Sequence, residues 1–98
     1  SCRKHADRAI EFLEKHDPSK PFLMVLDFAK PHDPRTAPAD YLAMYDPAKV
    51  ALSKNFLPQH PFDNGELFVR DEMLAAHPRT PEAMREHLRD YYAAITYN

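Results

Sequence analysis

The residues best suited to chemistry sit together in Lys30-Pro31-His32-Asp33-Pro34-Arg35. Imidazole is the side chain whose ordinary pKa puts its charge change near neutrality. Two prolines bracket His32-Asp33, limit backbone freedom and hold the ring in a fixed direction. Lys30 and Arg35 make the same loop locally cationic, which suits an anion. Together these residue types suit an anion site in which His32 is the candidate catalytic group and Lys30 and Arg35 are candidates for the bound ligand. The plainer alternative is an exposed proline-rich turn with an incidental histidine.

Such a loop needs elements to position it. Residues 3–16 read as a helix, with Ala6, Ala9, Ile10 and Leu13 at i, i+3, i+4 and i+7 and charged residues around them. His16-Asp17-Pro18 stops it, because the residue before a proline is biased out of the α region. Phe22-Leu23-Met24-Val25-Leu26 follows without alternation. A continuous apolar run between turn signals predicts a strand over 22–29, covered on both faces as in a parallel sheet. A buried helix is the weaker alternative, since Pro21 and Pro31 leave only nine residues between them. His32, in the loop 30–38, would then lie just past the carboxyl end of a parallel strand, where open α/β sheets bind ligands.

Further along, Pro38 opens a short helix through Tyr45, stopped by Asp46-Pro47. Residues 46–79 show poor periodicity. Within them Phe62-Asp63-Asn64-Gly65 predicts a turn, Leu67-Phe68-Val69 a short strand, and Asp71 to Ala76 a helical turn or two. So long an irregular stretch is unusual in a compact domain and looks like an insertion laid over a larger body. The helix over 81–97 has the clearest signals: Thr80 to cap it, Pro81 at its first position and Glu82 to complement its dipole. Met84, Leu88, Tyr91, Tyr92 and Ile95 form its apolar face; Arg85, Glu86, Arg89 and Asp90 cover the other. A lone strand leaves two unpaired edges. The expected fold class is therefore α/β, a fragment of a larger, mostly parallel-sheet, three-layer domain.

Composition narrows the function. Thirteen Lys and Arg against 15 Asp and Glu give a net charge of −2, which argues against a broad basic face for nucleic acid. No apolar run approaches the ~20 residues that span a bilayer. A single cysteine, Cys2, excludes an internal disulfide framework and a multi-cysteine zinc site. With one glycine, Gly65, against ten prolines, glycine-rich phosphate cradles are excluded and turns fall to Pro, Asp and Asn. There is no secretory or presequence-like segment in view, hence no readable address.

The block Lys20-Pro21-Phe22-Leu23-Met24-Val25-Leu26-Asp27-Phe28-Ala29-Lys30-Pro31-His32-Asp33-Pro34-Arg35 resembles a stretch of the formylglycine-dependent sulfatases, members of the alkaline-phosphatase superfamily. There, a proline, a phenylalanine and an apolar strand lead into a Pro-His-x-Pro loop. Arg85-Glu86-His87-Leu88-Arg89-Asp90-Tyr91-Tyr92-Ala93-Ala94-Ile95 resembles the helix that follows. Ala37 to Tyr41 and Asn55 to Pro58 look like the variable substrate-side insertion between them.

The resemblance implies a sulfuric ester hydrolase acting on a sulfated carbohydrate or small alcohol. His32 would then lie at the sulfate or leaving-group oxygen. It also implies a calcium ion and a formylglycine nucleophile, both held by residues outside this chain, and a periplasmic, secreted or lysosomal location. The nucleophile motif, Cys or Ser-x-Pro-Ser-Arg, is absent, and Cys2-Arg3-Lys4-His5 does not match it. These residues alone should be inactive. Their partners would be the rest of the parent chain, or a second copy through the exposed strand. A phosphate or phosphonate ester hydrolase of the same superfamily stands as the alternative, as does a non-catalytic helical interaction module.

Other candidates have plainer readings. His5 and His16 read as surface residues of the first helix. His60, His77 and His87 show no zinc spacing and read as solvent-exposed. Asp63-Asn64-Gly65-Glu66 lacks the calcium-loop pattern and reads as a turn. Tyr91 and Tyr92 read as helix packing, and Arg35 and Arg70 as candidates for a substrate carboxylate or a second sulfate.

Overall fold

The computed structural model describes residues 2–70 and 72–98. Asp71, the start of one expected helical turn, lies outside the described residues. Three α-helices appear: α1 (Cys2–Lys15), the single turn α2 (Ala39–Leu42) and α3 (Pro81–Tyr97). Short 3₁₀ turns lie at Pro47–Lys49, Glu66–Phe68 and Glu72–Leu74. Among the described residues there is no strand, so the expected α/β fragment with a parallel sheet is overturned.

The physical reason lies in residues 21–29. An unbroken apolar run reports that a segment wants burial on all sides, but a strand exists only where a neighbour completes its hydrogen-bond ladder. No described residue does so. Leu23 is 90% exposed and Val25 83%, with no regular structure around them. Leu67 and Phe68 likewise belong to a 3₁₀ turn rather than a strand.

α1 ends where expected from local chemistry. Lys20 N–H donates to the Asp17 carbonyl at 3.0 Å, while the Ser19 hydroxyl and amide donate to Asp17 Oδ1 at 2.8 and 3.0 Å. The Ser19 hydroxyl, then its amide, hold the Asp17 carboxyl below its ordinary value of 3.8. A depressed carboxyl tightens this turn above that value, and the effect is lost as pH falls through the lowered one. His16 Nε2–H reaches the Lys20 carbonyl at 2.6 Å, and its ring joins Phe12 and Phe22 in one aromatic cluster.

α3 is the frame. The Thr80 hydroxyl accepts from Ala83 N–H at 3.1 Å, and Pro81 occupies the first turn, where its missing donor costs nothing. Thr80→Ala should cost about 1 kcal/mol of helix stability. Circular dichroism of a peptide spanning residues 78–98 reads this, and unchanged helicity would contradict it.

The packed face of α3 differs from the expected one. Ala93 and Ala94 are fully buried, whereas Tyr91, Tyr92 and Ile95 are exposed. α2 and the Pro47–Lys49 turn pack against α3. Two aromatic contacts flank them, Tyr41 on Tyr97 (5.2 Å) and Tyr45 on Tyr92 (5.9 Å). Tyr45 Oη also meets Thr96 Oγ1 at 2.6 Å. Arg85 faces this packing rather than open solvent, donating Nε–H to the Val50 carbonyl at 3.3 Å.

Little else is covered. Cys2, Ala93 and Ala94 are the buried apolar residues among those described, and Ile10 and Leu13, meant for the α1 core stripe, are each 53% exposed. The radius of gyration is 18.7 Å and the extents 60 × 32 × 20 Å, against about 13 Å for a compact chain of this length. No described helix is long and apolar enough to cross a membrane.

Candidate active site

Loop 30–38 is held by a backbone turn, by its own Lys30 side chain and by Asn98 at the end of α3. His32 N–H donates to the Ala29 carbonyl at 2.9 Å, closing a turn. Lys30 folds back across the loop, its Nζ donating to the Pro34 carbonyl (2.8 Å) and Thr36 Oγ1 (2.6 Å). The Lys30 carbonyl accepts from Asn98 Nδ2 at 3.0 Å, which ties the loop to the end of α3. Two of the three ammonium protons are thus engaged, and Lys30 acts first as a brace.

Arg35 is half-buried. Its Nε lies 2.7 Å from Asp33 Oδ1 and an Nη2 hydrogen donates to Oδ2 at 3.4 Å. Nη1 lies 3.3 Å from His87 Nδ1 on α3. A guanidinium only donates, so Nδ1 is the acceptor there and the His87 ring carries its proton on Nε2. The sequence placed His87 in solvent; it is instead the α3 partner of the loop. No local sequence signal marks it, because its partner Arg35 lies 52 residues away.

His32 is exposed at the crest of the loop. Its Nδ1–H donates to the Asp33 carbonyl at 2.9 Å, which orients the ring and leaves Nε2 directed away from this bond. Here the residues either side do what the bracketing prolines suggest: the backbone turn, the Lys30 brace and the Asp33–Arg35 pair fix the short segment that carries the imidazole. Lys30 and Arg35 are brought into that framework, and their remaining donors, not their whole charge, are what a ligand would meet.

The other singled-out residues scatter. His5 lines a cleft with Cys2, Lys30 and Tyr97. His60 lies on Phe62, and His77 on Phe68, at ring separations of 6.1 and 6.2 Å. Asp63 and Asn64 accept from the amides of Gly65 (2.7 Å) and Glu66 (3.2 Å), a turn in which Gly65 takes φ +84°, a conformation that glycine adopts without penalty. Among the described residues no three of His, Cys, Asp and Glu gather as a metal ligand set. The family resemblance places the calcium ligands outside this chain, so a calcium site is not expected among these residues.

Over 39 residues the chain is 44% identical to an arylsulfatase of Clostridium perfringens (strain 13 / Type A). The match covers 40% of this chain and 8% of that protein. It is a partial likeness of one stretch to a sulfatase, and it carries no residue roles. No family model and no solved structure matches the chain.

Proposed function

We propose that the chain is a segment of a sulfatase that hydrolyses sulfate esters of a carbohydrate or small alcohol. In it, His32 serves the sulfate or leaving-group oxygen. The observation that carries this reading is the arylsulfatase likeness in a chain that also holds Lys30-Pro31-His32-Asp33-Pro34-Arg35.

Breaking the S–O bond of an alkyl sulfate leaves an alkoxide, a poor leaving group, so a proton delivered to the bridging oxygen lowers the barrier. With Nδ1–H committed to the Asp33 carbonyl, Nε2 is the nitrogen able to deliver it. A neighbouring sulfate favours the protonated ring. Lys30 keeps one ammonium proton for a sulfate oxygen while bracing the loop. The nucleophile and any metal ligands are proposed to come from residues outside this chain. Cys2 is buried at the start of α1 and stands in no Cys-x-Pro-Ser-Arg motif.

The test uses the complete protein that carries this sequence. It should turn over nitrophenyl sulfate well above nitrophenyl phosphate. Preference for the phosphate ester would move the assignment to a phosphoric ester hydrolase, and turnover of neither would remove the sulfatase reading.

A further inference from the structure

A second polar cleft lies beside the His32 loop, between Arg35, the 3₁₀ turn at Glu72–Leu74 and α3. Arg35, Glu72, Arg79 and His87 provide its polar wall, and Ala83 and Met84 provide an apolar floor. Its volume is about 50 Å³. That is room for a few waters or one carboxylate or sulfate group, and too little for a sugar ring.

The donors left in this cleft are its informative feature. Asp33 holds the Nε/Nη2 edge of Arg35, which leaves Nη1 turned toward His87. Arg79 donates Nη2 to the Glu72 carbonyl (2.6 Å) and to Glu72 Oε2 (2.9 Å). Its backbone N–H is fixed by the Pro58 carbonyl at 2.9 Å. Arg79 Nε is buried and has no hydrogen-bond partner among the described residues. A buried donor on a permanent cation is costly to leave unmade, and an oxyanion is the acceptor that satisfies it most strongly. The carboxylates of Asp33 and Glu72 orient the two guanidiniums without using all their protons.

We propose that the cleft between Arg35, Arg79 and His87 binds a second anionic group of the substrate, a carboxylate or a further sulfate. This rests on the sulfatase reading and narrows its substrate to sulfated sugars with an additional negative charge. Arg79 supplies the unpaired donor, Arg35 turns Nη1 from His87 to the anion, and the His87 Nε2–H remains a further donor.

In the complete protein, kcat/KM is measured for glucose monosulfate, glucuronic acid monosulfate and glucose disulfate. Wild-type protein should prefer one or both charged substrates over glucose monosulfate, and which of the two it prefers tells carboxylate from sulfate. Arg79→Gln should lower that preference ratio about ten- to a hundredfold, the worth of a charged hydrogen bond. A purely structural role would lower all three rates together and keep the ratio, which would overturn the proposal, as would a wild-type protein without preference. If no sulfate ester is turned over, calorimetry with glucuronate against methyl glucoside decides separately. Selective glucuronate binding that Arg79→Gln abolishes supports the cleft while the sulfatase reading falls; no selective binding overturns the cleft.

Discussion

Expressed alone, residues 1–98 should show no sharp two-state unfolding. A self-sufficient chain of this size buries roughly 60–70% of its unfolded surface, and its cooperativity comes from that shared core. Here the buried apolar set among the described residues is Cys2, Ala93 and Ala94, while Leu23, Val25, Ile10 and Leu13 stand more than half exposed. That much apolar surface in water predicts a broad thermal transition, dye binding and concentration-dependent association. A sharp transition with monomeric mass at low concentration would contradict it.

The complementary experiment is Leu23→Asp in the complete protein. At a truly exposed site the change should stay within about 0.5 kcal/mol. If other residues of the protein cover Leu23, it should cost more than about 2 kcal/mol, through lost burial and a carboxylate taken from water. We expect the larger value.

In the same complete protein, His32→Ala should lower turnover of a sugar sulfate by about 10²–10⁴-fold, the usual worth of a positioned proton donor. The geometry makes the imidazole a poor candidate for a structural role. It is exposed, and its one hydrogen bond among the described residues is to the carbonyl of its own neighbour. Removing it should therefore leave the melting temperature nearly unchanged while activity collapses. Near-normal activity would take His32 out of the mechanism. A matching loss of stability would instead make it a fastening of the loop.

Local chemistry was legible in the sequence where a few adjacent residues decide the outcome. Thr80 and Pro81 set the start of α3, and Asp17-Pro18-Ser19 sets the end of α1, because capping and turn bonds need no distant partner. The 22–29 segment was not legible in the same way. Phe22 to Leu26 state a demand for burial, but the conformation that meets it depends on what lies alongside, and beyond the Phe12 and His16 rings against Phe22 no described residue completes a strand ladder there.

The face of α3 was misjudged for a related reason. Periodicity ranks side chains by size, so it chose Tyr91, Tyr92 and Ile95. The fully buried residues of the helix are the small Ala93 and Ala94 instead. In the candidate site, proline bracketing pointed to His32 and its cationic neighbours. It gave no hint that Lys30 folds back on Pro34 and Thr36, a local closure that depends on the path of the loop, or that Arg35 and Arg79 converge near His87, a contact that joins distant parts of the chain.

The most direct test of His32 as proton donor compares wild type and His32→Ala on a series of sulfate esters with leaving alcohols of graded acidity. A good leaving group departs without help, so the loss should be greatest for alkyl and sugar sulfates and shrink steadily toward nitrophenyl sulfate. An equal loss across the series, or none, would contradict the role assigned to this imidazole.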